Sequence, residues 1–156
     1  MMIPKRVKHY LKAQDVAFKR IAHEATGSTH ETALAAHVEE DRVAKAVMVH
    51  DARGHVMAVI PGDSWLNLDA LNTEAGRSFE LDDEAELSGL FPDCKPGAVP
   101  ITGPAYGIET FVDDALMTLG RVCFEAGDHR HLLEVDADGF GKLTQGFRHG
   151  HFGDQH

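Results

Sequence analysis

An apolar segment in the first third of the chain constrains the fold most. Residues 43–49 are Val, Ala or Met except for Lys45, so both faces of a strand formed there are apolar. The turn signal Asp51-Ala52-Arg53-Gly54 follows directly. We therefore predict a strand over residues 42–50 that returns antiparallel through residues 55–60 as a hairpin.

Lys45 lies inside this predicted strand. A lysine is rarely buried unless it is paired, because removing an ammonium from water costs several kcal/mol. One interpretation is that Lys45 meets an anion such as a phosphate or a carboxylate. The other is that the strand lies at a sheet edge and the side chain reaches solvent. The pattern alone favours neither.

The length of 156 residues predicts one domain that buries its own core. No apolar run is long enough to cross a bilayer, and Met1-Met2-Ile3-Pro4 is not followed by an apolar signal region. We therefore expect a cytoplasmic protein without a membrane partner. In that compartment Cys94 and Cys123 are expected to remain thiols, with Cys123 buried in a strand.

Charge is distributed unevenly along the chain. The net charge is −10, yet residues 1–20 hold six basic residues against Asp15 alone, a balance of +5. This basic segment could meet a polyanion, or it could be the solvated face of an amphipathic helix. The acidic remainder opposes general nucleic-acid affinity, so we expect no DNA partner, and any RNA contact should be local and salt-sensitive.

The remaining segments predict alternating helices and strands. Ser28 and Glu31 fit a capping box that begins a helix. Further helices are predicted over residues 5–14, from Asp69, and over residues 82–90, 114–119 and 140–147, with strands over residues 16–22, 110–112, 121–125 and 131–135. The domain is therefore placed at residues 1–147, and residues 148–156 are expected to be a flexible tail.

Eleven histidines raise the question of a metal, but their spacing does not support one. There is no His-Glu-x-x-His helix and no Cys-x-x-Cys pair, and no carboxylate set completes the pairs His129/His131 and His149/His151. Phosphate-binding, dinucleotide-binding and serine-nucleophile motifs are also absent. We expect neither a metal nor another cofactor.

A loop over residues 91–107 is rich in proline and glycine. Such a loop can hold backbone N–H groups, for example at Gly97, in fixed positions that suit a carbonyl, a carboxylate or a developing oxyanion. Such a loop is more often a structural turn than a site.

The order of these motifs resembles a known family. The motifs are Ala-Lys-Ala-Val at residues 44–47, Val-Ile-Pro-Gly-Asp at 59–63, Leu-Phe-Pro-Asp-Cys-Lys-Pro-Gly-Ala-Val-Pro at 90–100, Gly-Pro-Ala-Tyr-Gly-Ile at 103–108, and a strand ending at Asp113. Together they resemble the YbaK/aminoacyl-tRNA-synthetase-associated family, the freestanding relatives of the editing domain of bacterial prolyl-tRNA synthetase. The resemblance covers about residues 5–145.

The resemblance implies a single α/β domain, α+β-like, with a mixed barrel-like sheet and flanking helices. It also implies hydrolysis of the ester of mischarged tRNA, with the tRNA 3′ end as partner and an aminoacyl-tRNA synthetase as a further candidate partner. Lys45 matches the lysine that helps fix the 3′-terminal adenosine. Gly97 begins the family's Gly-x-x-x-Pro loop, whose fifth position is Ile101 here.

We accordingly assign Lys45 and Gly97 as catalytic. The substrate-binding set is Ala98, Val99, Pro100, Ile101, Gly103, Asp113 and His129. The mechanism expected from these residues uses backbone N–H groups and positioning, without an acid/base pair. A noncatalytic module that holds a small ligand or a synthetase is the alternative: Ile101 and the acidic charge favour it, whereas Lys45 and Gly97 favour the deacylase, which we prefer.

Overall fold

The computed structural model describes residues 3–155. Met1 and Met2 of the predicted N-terminal segment, and His156 of the predicted tail, lie outside these residues. The helices are α1 Lys5–Ala13, α2 Thr29–Ala36, α3 Leu68–Ala75, α4 Glu84–Leu90 and α5 Ala137–Leu143. The strands are β1 Lys19–Ala22, β2 Ala44–Asp51, β3 Gly54–Pro61, β4 Ser64–Leu66, β5 Glu80–Leu81, β6 Glu109–Asp113, β7 Arg121–Glu125, β8 His131–Asp136, β9 Arg148–Gly150 and β10 Gly153–Gln155.

The predicted hairpin is confirmed. Strands β2 and β3 pair antiparallel from Ala44 opposite Pro61 to Asp51 opposite Gly54. The Asp51 carboxylate accepts a hydrogen bond from the Arg53 N–H inside the turn, and it binds the Arg77 guanidinium through two further hydrogen bonds. This bidentate contact fixes the hairpin end because the planar guanidinium matches the carboxylate geometry.

The strands form three sheets. A five-stranded mixed sheet has the order β5-β2-β3-β6-β9, with β6 parallel to both β3 and β9. A three-stranded antiparallel sheet has the order β1-β8-β7, and β4 pairs with β10. The mixed α/β class is therefore confirmed. Within residues 3–155 the large sheet does not close into a barrel, because β5 and β9 remain its two edges.

The five-stranded sheet is buried on both faces. Met57 and Val59 on one face belong to a core that also includes Val7 of α1 and Phe124 of β7. The neighbouring side chains of β3 face a second core, which includes Leu71 of α3. This double burial explains why the sequence of the hairpin is apolar on both faces. None of the helices within residues 3–155 has the length and apolar content of a membrane span.

The C-terminal residues differ from the prediction. Residues 148–155 form β9, which pairs with β6, and β10, which pairs with β4, instead of a flexible tail. Helix α5 begins at Ala137 rather than at residue 140, because the Asp136 carboxylate accepts a hydrogen bond from the Gly139 N–H and caps it. The strands are so short that their sequences carry no periodicity, so only pairing reveals them.

The capping box predicted at Ser28 forms only in part. Ser28 accepts the hydrogen bond from the Glu31 N–H as predicted, but the Glu31 carboxylate binds the N–H of Gly27 rather than that of Ser28. A complete capping box occurs instead at the start of α4, between Asp83 and Glu86.

Candidate functional site

A cavity of about 510 Å³ lies beside the first residues of β2. Its walls come from the segment before α2, from α4, from the loop at Gly97, and from Glu125 and His129 at the end of β7 and in the following turn. Four consecutive residues, 43–46, line it. Since consecutive strand residues point to opposite faces, the edge of β2 itself borders the cavity.

Lys45, which the family resemblance assigned to the site, lines this cavity. β2 is an inner strand of the sheet, but β5 pairs with it only at Val49 and His50, so its edge near Lys45 carries no full partner strand. The Lys45 ammonium donates a hydrogen bond of 3.2 Å to the Gly62 carbonyl. Burial lowers the pKa of Lys45, and the nearby carboxylates of Glu40 and Asp63 offset part of that shift. The half-buried ammonium of Lys45 therefore lies at the cavity, and it has further N–H groups that can donate hydrogen bonds.

Gly97 also lines the cavity and has a φ of +79°, a left-handed conformation that favours glycine. Within residues 3–155 its N–H donates no hydrogen bond, whereas the neighbouring Ala98 N–H donates one to the Lys95 carbonyl. The Gly97 N–H is therefore a backbone donor without a partner in a residue that lines the cavity. A backbone N–H of this kind is the type of group that stabilises a developing oxyanion.

His129 holds the loop in place. Its Nδ1 lies 3.0 Å from the Pro96 carbonyl oxygen, and its Nε2 accepts a hydrogen bond of 3.2 Å from the Thr26 N–H. Because Nε2 must be unprotonated to accept this bond, Nδ1 carries the ring proton. Nδ1 therefore donates a hydrogen bond to the Pro96 carbonyl oxygen. His129 thus joins the loop to the segment before α2 as a neutral imidazole.

A carboxylate and an imidazole that the sequence did not single out meet at this cavity. The Glu125 side chain, 13% exposed, lines the wall, and His23 lies fully buried behind it with Nε2 3.2 Å from Glu125 Oε1. His23 Nδ1 lies 2.7 Å from the Glu24 carbonyl and donates to it. The sequence-based expectation did not include these two side chains. Since 102 residues separate the two side chains, no local pattern could have revealed them.

Burial raises the pKa of Glu125, and the contacts with His23 and Thr32 offset part of that shift. Thr32 Oγ1 donates to Glu125 Oε2 at 3.4 Å, and the hydroxyls of Thr26 and Thr32 bond to each other. The carboxylate is therefore oriented from both oxygens. An oriented carboxylate whose pKa lies above its ordinary value is suited to general-base chemistry.

Several predicted binding residues lie elsewhere. Val99 and His129 line the cavity, but Ala98 and Ile101 are fully buried in the core, and Pro100 is buried without contacting the cavity. The fifth loop position therefore has a packing role, which its β-branched side chain fills.

Gly103 and Asp113 are structural in the same way. A Cβ on Gly103 would lie 2.0 Å from Thr110 Oγ1, so this glycine permits close packing against β6. The buried Asp113 carboxylate accepts hydrogen bonds from the N–H groups of Ala115, Phe152 and Gly153. It anchors the C-terminal strands, and it does not line the cavity.

A second cavity, of about 410 Å³, adjoins the first at the Gly97 loop. Leu87, Gly97 and Val99 line both cavities, and Phe91 and Cys94 line only the second. The Cys94 thiol contacts the hydroxyl of Tyr106, and burial raises the pKa of Cys94 to about 11. Cys94 is therefore a protonated lining residue rather than a nucleophile.

Comparisons with known proteins identify the fold and the family. A search of curated proteins gave no match. The solved structure of a hypothetical protein has a TM-score of 0.84 at 25% identity, covering 96% of this chain and 99% of its own. The structure of a candidate trans-editing enzyme for prolyl tRNA synthetase has a TM-score of 0.80 at 21% identity, covering 95% of this chain and 94% of its own. The family model for the aminoacyl-tRNA editing domain matches residues 23–143, a range that contains the whole lining of the first cavity. The chain therefore belongs to the aminoacyl-tRNA editing domain family.

Proposed function

We propose that this editing domain is a trans-acting deacylase that hydrolyses the ester bond of mischarged aminoacyl-tRNA. One observation carries the proposal: a cation, a free backbone donor and an oriented carboxylate line the same cavity, at Lys45, Gly97 and Glu125. These are the groups that an ester hydrolase needs to bind an anionic substrate, to stabilise an oxyanion and to activate water.

In this proposal the 3′ end of the tRNA enters the cavity beside the edge of β2. Lys45 binds the ribose or a phosphate of the terminal adenosine through the donor capacity that Gly62 leaves free. The carbonyl oxygen of the ester accepts a hydrogen bond from the Gly97 N–H. Leu87 and Val99, which border both cavities, offer apolar contact to the amino-acid side chain.

Glu125 acts as the general base. It takes a proton from a water molecule whose oxygen attacks the ester carbonyl carbon, and the Gly97 N–H stabilises the tetrahedral oxyanion. The carbon–oxygen bond to the ribose then breaks, the ribose oxygen receives the proton, and the free amino acid leaves. His23 touches Glu125 from behind and therefore acts as a positioning residue. An aminoacyl ester is already reactive, so positioning and one base are sufficient.

Contact with the rest of the tRNA should be weak, because the body of the protein is acidic. A synthetase that delivers the mischarged tRNA is a partner consistent with that weakness. We expect deacylation to decrease with added salt along a shallow slope, because the slope is proportional to the number of phosphates neutralised and few basic residues are available.

The test is incubation of the purified protein with a panel of mischarged tRNAs, beginning with alanyl-, cysteinyl- and seryl-tRNA of noncognate identity. We expect release of the amino acid from at least one member, and little release from the matched cognate pairs. If no member is hydrolysed while a small amino-acid-like ligand still binds, the protein is a noncatalytic binding module and the deacylase proposal is wrong.

A further inference from the structure

Four side chains of the metal-ligand type meet near the turn of the β2–β3 hairpin. They are His50, His55, Asp82 and Glu86. His50 lies five residues along β2 from Lys45, which corresponds to about 17 Å of strand. The cluster is therefore a feature separate from the editing cavity.

The two imidazoles converge on one carboxylate. His50 and His55 are opposite each other in the hairpin, and their Nδ1 atoms lie 2.5 Å and 2.8 Å from the two oxygens of the fully buried Asp82 side chain. Glu86 Oε2 lies 3.3 Å from His50 Nδ1. One ligand atom from each of the four residues lies within 4.8 Å of all the others. Ligand atoms around a tetrahedral zinc ion are about 3.3 Å apart, so small shifts would complete such a site.

The backbone holds these residues in place. The Asp82 N–H donates to the Met48 carbonyl, which fixes the carboxylate against β2. Glu86 is the third residue of α4, and its Oε1 accepts the Asp83 N–H of the capping box, so Oε2 remains directed at His50. On the outer side, a Glu80 oxygen lies 3.8 Å from His50 Nε2, the position of a carboxylate that supports a ligating imidazole.

We propose that His50, His55, Asp82 and Glu86 bind a divalent first-row transition metal ion, with zinc as the best match. Two imidazole nitrogens and two carboxylate oxygens suit such an ion, and the two carboxylates balance its charge. On binding, each imidazole ligates the ion through Nδ1 as a neutral ring, so the proton that now faces Asp82 leaves Nδ1 and the ring carries its proton on Nε2. Because four protein ligands fill the coordination sphere, the site is structural.

This ion would join the hairpin to α4. Glu84 and Leu87 of α4 line the editing cavity, so the metal would stabilise one wall of that cavity without contacting the substrate. The spacing of these residues in the sequence predicted no metal, because the two strand histidines and the two carboxylates come together only through strand pairing and the docking of α4.

The test uses untagged full-length protein that is first treated with a chelator. Zinc is titrated by calorimetry, and cobalt is titrated by visible absorption. We expect saturable binding of one ion per chain, absorption bands typical of tetrahedral cobalt, and a higher melting temperature with metal. His55→Gln should weaken binding at least about tenfold, since even residues that only support ligands cost about that much. His149→Gln is the matched control, because His149 pairs with a single carboxylate, that of Asp114.

The proposal is wrong if wild-type protein shows no saturable binding at micromolar metal, or if His55→Gln binds as tightly as the His149→Gln control. If His55→Gln is less stable but the wild type neither binds metal nor melts higher with it, the cluster is only a set of ion pairs and the proposal fails. Should His55→Gln not fold, the cobalt spectrum of the wild type decides. None of these readouts depends on deacylation.

Discussion

The imidazole of His129 covers the backbone of Gly97. A Cβ built on Gly97 would lie 3.3 Å from His129 Cε1, and the ring is held on its other sides by the Pro96 carbonyl and the Thr26 N–H. The cavity wall at this point consists of backbone and one neutral ring. The free N–H of Gly97 is therefore kept at a fixed position beside the cavity.

Gly97→Ala should strongly reduce deacylation. The left-handed φ of +79° costs an alanine about 1–2 kcal/mol, and its methyl group would press on His129. The matched control is Gly76→Ala, because Gly76 has a φ of +66° with open space around it and ends α3 outside the cavity lining. Both variants should melt at lower temperature, and only Gly97→Ala should lose turnover. Equal activity in the two variants would remove the Gly97 loop from the mechanism.

Lys45→Met should lower kcat/KM for deacylation by about 10- to 150-fold. This range corresponds to about 1.5–3 kcal/mol for a hydrogen bond to a charged group. The melting temperature should not decrease, because burial lowers the pKa of Lys45 and so disfavours its charge in the folded state. Lys12→Met on α1, which replaces an exposed lysine, is the control for loss of charge alone. Rates measured at two salt concentrations separate local binding from general attraction. If Lys45→Met and Lys12→Met reduce the rate equally, Lys45 acts only through the net charge.

Glu125→Gln should reduce the deacylation rate by about 10²–10⁴-fold, the contribution of a general base. For the wild type, the rate should rise with pH as Glu125 ionises, with its midpoint above the ordinary carboxyl range because burial raises the pKa of Glu125. The variant should lack this rise. A rate that is independent of pH between the ordinary carboxyl range and neutrality would contradict the assignment.

Glu125→Gln should raise the stability of the fold at neutral pH, although it lowers the deacylation rate. An acid whose pKa is raised on folding contributes stability below its unfolded pKa, and this contribution is lost as the pH rises through the folded pKa. The free energy of unfolding of the wild type should therefore decrease between acidic and neutral pH. Glu125→Gln should lack this decrease, because its amide does not ionise. We expect Glu125→Gln to melt higher than wild type at pH 7, a result that a purely structural carboxylate would not give.

Both thiols should react slowly in the native protein. Burial raises the pKa of Cys94 to about 11 and that of Cys123 to about 12, so almost no thiolate is present at neutral pH. A thiol reagent should modify the folded protein much more slowly than the protein unfolded in guanidinium, and mass spectrometry identifies the site. Rapid modification of Cys94 in the folded state would show that the cavity beside it is open and electropositive.

Local patterns in the sequence predicted the elements that carry strong periodicity or turn chemistry. The hairpin of β2 and β3, the Ser28 N-cap and helix α1 are all found near their predicted positions. Lys45 and Gly97 could be proposed as site residues because a lysine in an apolar strand and a glycine in a rigid loop are unusual within their own segments. The family resemblance added the fold class, which the comparisons confirm.

Only the tertiary structure decided which side chains share the cavity. His23 reaches Glu125 through the pairing of β1 with β8 and of β8 with β7, and Ile101 is directed into the core instead of the cavity. The Asp113 carboxylate accepts hydrogen bonds from the N–H groups of Phe152 and Gly153 and so holds the start of β10 near the end of β6. In each case the deciding contact joins residues far apart in the chain. Sequence periodicity describes the preference of one segment for a face, and it contains no information about which other segment will cover that face.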